Sequence, residues 1–375
     1  MAQFGTDRRL SPLRVVLVSH SALPGGHNNV ILSLLRHRPE DVECRCVFLE
    51  EGPIAGEVEA LGVATELIAS GRARELWRVP GVLRALRRAI AAHGADVVFA
   101  HVSKAQIYCA PAAHRAGVAS IWRNPEGMAQ APRLIRLAAR LPAQAVVCSS
   151  HFTAAELAGR TRADVHIVHP GIEADDVPPA RVHAPGAPVF GTVGRLQRWK
   201  RIELVLAALP HVLRELPDAR LRVIGGPYGE RDRGYAGELR EVAERLGVAS
   251  AVEFTGQLPS ARGEIRTLDV LVHTALREPF GLVMVEAMQQ GVPVVATRDG
   301  GPAEIVRDGV DGLLVDETDA GALARALVEL GQDPGRRAAL GASARERALT
   351  EFSATRMSAQ LWGLVRGVAT DSGAG

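Results

Sequence analysis

Long apolar runs are missing from this 375-residue chain. None reaches the ~20 residues that a bilayer-crossing helix needs. The opening MAQFGTDRRLSP has no apolar stretch of the kind that makes a signal peptide. A cytoplasmic chain is therefore expected. Cysteine is scarce: Cys44, Cys46, Cys109 and Cys148 form one close pair and no zinc-binding spacing. Reduced core residues are expected, not a disulfide framework. Charge of one sign is missing too. A formal net charge of +2 gives neither the basic footprint of a nucleic-acid partner nor an acidic solvating tail. No DxD-type carboxylate pair ends a strand, so no metal is expected. What remains is a length well above one ordinary domain and a 47% hydrophobic content, enough for two cores.

The first half alternates. Leu13-Arg-Val-Val-Leu-Val-Ser19 reads as a buried parallel strand, as do Val42–Phe48, Ala95–Ala100, Val118–Trp122 and Ala145–Ser149. Helical patterns cover Val79–Ala92, Lys104–Arg115, Pro132–Arg140 and Ser150–Ala158. Such alternation predicts a parallel sheet covered on both faces, with ligands at the carboxyl ends of its strands. After the first strand come Gly25 and Gly26, then a helical pattern. Strand, glycine loop and helix make a phosphate-approach unit without the full GxGxxG fingerprint, and a plain tight turn accounts for the glycines as well. His101 directly follows a strand and should lie at the ligand edge, as a loop residue or as a functional one. Arg133, Arg136 and Arg140 share one helical face. That face is either solvated or meets an acidic acceptor or an anionic membrane surface.

Ala174 to Pro188 has no apolar period and is broken by Pro178, Pro179, Pro185 and Pro188, which marks a domain boundary. Alternation then restarts. Strands are expected at Val189–Val193, Arg220–Ile224, Ala251–Phe254, Val270–His273 and Val292–Ala296, with a helix over Ile202–Leu216. Arg195 and Lys200 follow the first of these strands, where a planar fork and a point charge could both reach one diphosphate. Glu278-Pro-Phe-Gly281 interrupts the chain before a helix expected over Leu282–Gln290. The unpaired amides of that helix's first turn, Leu282 included, form a ready anion site. Glu278 stands at its mouth and can accept hydrogen bonds from sugar hydroxyls. Glu286 lies in the second turn and can grip the diol of a ribose. Two unrelated surface acids would explain the pair alone equally well. The last helix, Ser353–Val368, carries Leu361, Leu364 and Val365 and is expected to pack back on the first domain.

Taken together, PGGHNN (24–29), the strand ending in His101, SSHFTAAEL (149–157), HPGIE (169–173), GRLQRWK (194–200), FTGQLP (254–259), EPFGLVMVE (278–286) and GGPAEIVRDGVDGLLV (300–315) resemble the retaining glycosyltransferases of family four. The resemblance spans nearly the whole chain. It implies an α/β chain of the GT-B fold: two doubly wound Rossmann-like domains whose parallel sheets face across a cleft. An acceptor-binding domain would cover 1–176 plus the helix 353–370, and a nucleotide-sugar domain 177–352. It also implies no cofactor beyond a nucleotide diphosphate sugar as donor, UDP being the expected nucleotide, and an acceptor hydroxyl as second partner. No nucleic acid is implied, and peripheral contact with the inner membrane face is compatible with it. Glu278 and the backbone of Phe280 and Gly281 would hold donor-sugar hydroxyls, Glu286 the ribose, and Arg195 and Lys200 the diphosphate. Gly25 and Gly26 would close on the phosphates, and His101 would reach the sugar. Two positions depart from the pattern: His27, Asn28 and Asn29 where an acid is common, and Arg201 where a glycine is usual. Trp122-Arg-Asn-Pro-Glu-Gly127 is individual to this chain and a candidate acceptor wall. A sugar-nucleotide epimerase of the same fold and a non-catalytic sugar-nucleotide-binding module are the competing readings.

Overall fold

A run such as Val15-Val-Leu-Val18 has no polar face to offer water and must be covered on both sides. In the computed structural model it lies in the interior of a parallel seven-stranded sheet, its four side chains almost wholly buried. The structure describes residues 12–23, 25–71, 75–174, 187–227, 232, 234–258, 260–316 and 318–373. Residues 1–11 and most of the proline-rich linker, 175–186, lie outside the described residues.

The first sheet uses β1 (Leu13–Ser19), β2 (Val42–Phe48), β3 (Ala64–Leu67), β4 (Val97–His101), β5 (Ala119–Asn124), β6 (Ala145–Cys148) and β7 (Asp164–Ile167). Their order is β3-β2-β1-β4-β5-β6-β7. The helices between them are α1 (Gly26–Arg36), α2 (Ile54–Ala60), α3 (Val79–His93), α4 (Ser103–Ala116) and α5 (Pro132–Ala138), with α6 (His151–Leu157) between β6 and β7. The second sheet has β8 (Val189–Val193), β9 (Arg220–Ile224), β10 (Val252–Gly256), β11 (Val270–His273), β12 (Val294–Thr297) and β13 (Gly312–Val315), in the order β10-β9-β8-β11-β12-β13. With it go α7 (Ile202–Glu215), α8 (Tyr235–Arg245), α9 (Arg262–Ile265), α10 (Leu282–Gln289), α11 (Pro302–Ile305), α12 (Ala320–Gln332), α13 (Pro334–Glu351) and α14 (Ala354–Gly373). Every strand-to-strand ladder in both sheets is parallel. The order reverses between β1 and β4 in one sheet and between β8 and β11 in the other. Those are the places where doubly wound sheets open a crevice for ligands.

Contacts divide the chain into two units: residues 1–148, 156–168 and 358–375, and residues 149–155 and 169–357. Each unit has its own core. In the second, α7 buries Ile202, Val205, Leu206, Leu209 and Val212 against the sheet, worth about 1.5–3 kcal/mol for each large side chain. The end of α14 belongs to the first unit, as its apolar stripe implies. Leu361, Trp362 and Val365 are buried there, and the Trp362 indole donates to Leu34 O at 3.0 Å. Arg366 grips Asp41 with two 2.6 Å bonds. All four cysteines are buried, and burial pushes the Cys44 thiol up to about 12. None of the described helices is long and apolar enough to cross a membrane.

Candidate functional site

Two loops leave the carboxyl ends of β8 and β11, the strands that flank the reversal in the second sheet. The first, from Gly194 to Lys200, ends in a short 3-10 turn over Arg198–Lys200. It lies close against the loop after β9. A Cβ on Gly225, where φ is 128°, would sit 2.0 Å from Gly194 O, so only glycine fits. The second loop runs from Thr274 to Gly281. Backbone and hydroxyl bonds fasten the two: Leu276 N donates to Trp199 O at 2.7 Å, and Thr274 Oγ1 to Lys200 O at 3.0 Å. This fastening brings together side chains that are 78 residues apart in sequence.

Lys200 Nζ lies 2.6 Å from Glu278 Oε2, and His273 Nε2 lies 3.0 Å from the same oxygen. Burial would raise the Glu278 carboxyl, but the Lys200 ammonium and then His273 outweigh it and hold the group at about 2. Burial lowers His273 from its ordinary value, so the ring is neutral. A carboxylate can only accept, and His273 Nε2 must therefore carry the proton. Glu278 Oε2 is thus doubly engaged. Among the described residues no hydrogen bond reaches Oε1. The Trp199 ring lies under Lys200, 4.1 Å from Nζ. Arg195, just past β8, is exposed.

The Glu278–Gly281 turn is braced from behind. Gly301 N donates to Glu278 O at 2.7 Å. Cβ atoms on Gly300 and Gly301 would lie 2.4 Å from Glu278 O and from Phe280 Cα, respectively, so the glycine pair after β12 exists for this approach. Ser150 Oγ donates to Pro279 O at 2.6 Å. Glu304 accepts from His151 N, Phe152 N and His169 Nε2. The Phe280 ring is buried, stacked on His169 at 5.5 Å and edge-on to Phe352 at 5.8 Å. What Phe280 can offer a ligand is its backbone. Gly281, at φ 104°, caps α10, and Leu282 is its first residue. Glu286 stands in the second turn. Burial raises its carboxyl, partly offset by Arg262.

Gly25, Gly26 and His101 belong to the first unit. Gly25 is the N-cap of α1 and Gly26 its first residue. Asn28, one of the residues that follow the glycine pair, is fully buried and structural. It donates to Ser21 O and Leu23 O and accepts from Ser19 Oγ, which sets the path of the glycine loop. His101 is the last residue of β4, buried, in register with Ser19 of β1 and Arg123 of β5. Sequence reasoning missed His273. The available signal was the one that found His101, a histidine ending an apolar strand.

Residues 24–176 match the family model "Glycosyltransferase Family 4" and residues 175–347 match "Glycosyl transferases group 1". A GDP-mannose-dependent alpha-(1-6)-phosphatidylinositol monomannoside mannosyltransferase from Mycolicibacterium smegmatis is 30% identical over 323 residues, 77% of this chain and 81% of the relative. A D-inositol 3-phosphate glycosyltransferase from Corynebacterium urealyticum is 35% identical over 227 residues, but the match spans only 52% of that protein. Among solved structures, Anabaena HepE in complex with UDP and glucose superposes with a TM-score of 0.80 at 22% identity, over 95% of this chain and all of that one. Sucrose-phosphate synthase from Thermosynechococcus elongatus gives 0.81 at 19%, over 96% and 100%. Two matching family models that together cover most of the chain, a relative matched over most of its length and the shared fold lead to one conclusion: the chain belongs to glycosyltransferase family four, the group 1 retaining enzymes of GT-B fold that move a hexose from a nucleotide sugar.

Proposed function

We propose that the site in the second unit holds a nucleoside diphosphate hexose, with UDP as the carrier nucleotide, and passes the hexose to a hydroxyl of the acceptor. The carrying observation is the buried Lys200–Glu278–His273 cluster beside the first turn of α10. Glu278 Oε1 and the backbone of Phe280 and Gly281 take the sugar hydroxyls. Arg195, Lys200 and the amides at Leu282 take the diphosphate, and Glu286 takes the ribose diol. From the first unit, Gly25 and Gly26 serve the phosphates and His101 the sugar. The catalytic assignment is therefore Arg195, Lys200, Glu278 and His101. In the reaction, the bond from the anomeric carbon to the phosphate oxygen breaks as the acceptor oxygen bonds on the same face. The acceptor proton passes to the departing phosphate. Lys200 and Arg195 stabilise the charge that develops there. Residues 1–176 with 353–370 form the acceptor domain in this reading, and 177–352 the donor domain.

GDP-mannose is the second donor reading, because the M. smegmatis relative is named for it. Peripheral membrane contact is included as well: Arg133, Arg136 and Arg140 are exposed beside Leu134 and Leu137, which are 39% and 46% exposed. A screen of nucleotide sugars read by diphosphate release tests the reading. Release from UDP or GDP hexoses that is lost in Lys200→Met supports it. Tight nucleotide binding with no release from any sugar nucleotide would leave a binding module. An exchange of epimers without release would leave an epimerase.

A further inference from the structure

The segment Trp122–Gly127 plays no part in the donor site, yet it contains the least expected side chain in the first unit. Arg123 is the second-last residue of β5, between His101 of β4 and Val147 of β6. It is 2% exposed, and its Nη1 is buried without a hydrogen-bond partner. No carboxylate pairs with it among the described residues. The titratable group that acts on it is Cys148 of β6. The carboxylate nearest in sequence, Glu126, is engaged elsewhere. Its Oε2 accepts from Ser103 N at 3.0 Å and Ser103 Oγ at 2.5 Å, at the start of α4. Burial draws the Arg123 guanidinium down to about 10, so it still carries its charge at neutral pH.

A buried guanidinium with no carboxylate beside it is unfavourable, and folded proteins keep one where something else supplies the opposite charge. The neighbouring backbone has a second costly feature. Val102, between β4 and α4, is held at φ 68°, an outlier for a β-branched residue, and its amide donates to Arg123 O at 3.0 Å. The loops around the β1–β4 reversal converge on the same edge: His20 after β1 feels the charges of Glu126 and Lys104. Strain and unpaired charge therefore meet at the carboxyl end of β4 and β5, the ligand edge of a doubly wound sheet.

We propose that Arg123 is the anion-recognising residue of an acceptor subsite on the first unit, so that the acceptor carries an oxyanion, a phosphate ester or a carboxylate, close to the hydroxyl that is glycosylated. This rests on the transferase reading above. A planar guanidinium offers two parallel donors to either group. It rejects a neutral analogue because the buried charge would then stay uncompensated.

The test uses the full chain with its nucleotide site saturated by UDP or GDP, so that phosphate probes cannot enter there. Inorganic phosphate, D-glucose 6-phosphate, D-glucuronate and D-glucose are titrated at millimolar concentration, by calorimetry and by the shift in melting temperature. Either glucose 6-phosphate or glucuronate should bind and raise the melting temperature, glucose should not, and the preferred anion identifies the group. Arg123→Met should weaken that binding by about tenfold to a hundredfold, and Arg123→Lys by less. Arg123→Met should melt no lower than the wild type, since it removes an unpaired buried charge. Indifference of the wild-type melting temperature to every anion overturns the proposal whatever the variants do. So does equal binding to Arg123→Met, or a variant that melts far lower with its anion response intact. Failure of the wild type to bind any nucleotide would instead remove the donor-site reading.

Discussion

The Lys200–Glu278 pair gives the sharpest test of the donor site, because its strength follows from the geometry. The side chains are only 17% and 9% exposed, so solvent does not screen them as it does a surface pair. A carboxyl held at about 2 instead of 4.5 corresponds to about 3 kcal/mol in favour of its charged form, after burial has opposed it. The largest single favourable cause is the Lys200 charge, followed by the His273 hydrogen bond. Lys200→Met leaves Glu278 as a buried carboxylate with one neutral donor. Glu278→Gln leaves a buried ammonium over Trp199. Each single change should therefore destabilise the second unit by about 2–4 kcal/mol. The double variant removes both charges and should lose less than the two together, with a coupling energy of about 2–3 kcal/mol. Hydrogen exchange at the β8 and β11 amides under increasing urea measures the opening free energy of this unit in all four proteins. Effects that add to within about 0.5 kcal/mol would refute the pairing, and with it the idea that ligand-free Lys200 is held by Glu278.

Most strands anticipated from sequence are interior ones with two covered faces; β10, expected at Ala251–Phe254, is an edge strand that was anticipated as well. β1, β4, β8 and β11 sit in sheet centres and show as continuous apolar runs. The strands not anticipated, β3, β7 and β13, are all sheet edges. Ala64-Thr-Glu-Leu67 and Asp164-Val-His-Ile167 are largely exposed, so nothing in their local pattern demanded burial. Pairing with one neighbour made them strands. Short edge elements of this kind are decided by tertiary context, not by propensity. The same holds for α2, seven residues long, with Ile54 and Val58 as its buried residues.

The site divides along a similar line. Glu278, Lys200 and Glu286 could be singled out because loop, helix start and charge lie within short motifs. His273 could not be, since its role depends on β11 ending beside the loop that carries Lys200. The glycines at 300 and 301 enter the sequence reading only as part of a longer motif, and the structure gives their reason: the backbone of Glu278 and Phe280 passes where their side chains would be. Conversely, several motif residues prove to be bracing. His169 and Glu304 fix the peptide at 151–152 and pack behind Phe280. A motif identifies what a fold retains without separating the groups that could touch a ligand from those that hold them, and only distances make that separation.

Glu286→Gln should weaken nucleotide binding by about tenfold to a hundredfold in calorimetry. It should not lower the melting temperature, because burial already disfavours that charge; unchanged nucleotide affinity would refute the ribose assignment. Acid should destabilise the second unit in a defined window. Glu278 is lowered on folding, so its stabilisation is complete above about pH 4.5 and disappears as pH falls toward about 2; a Glu278→Gln variant that keeps the wild-type loss over that range would refute it. Turnover should persist in EDTA if, as proposed, two cations and a helix start serve the leaving group; loss restored by magnesium would refute this account. Arg201→Gly tests the second departure from the family pattern. Arg201 caps α7 at φ 53° and ψ 43°, in the left-handed region, which costs about 1–2 kcal/mol for a residue with a Cβ. Glycine removes that strain but adds about 0.5–1 kcal/mol of unfolded-state entropy. The net expectation is a gain of up to about 1 kcal/mol and a higher melting temperature. Turnover should be unaffected, because Thr274 bonds to the carbonyls of Lys200 and Arg201, which the substitution keeps. A lower melting temperature would mean that the arginine side chain stabilises the start of α7 by more than its backbone strain costs.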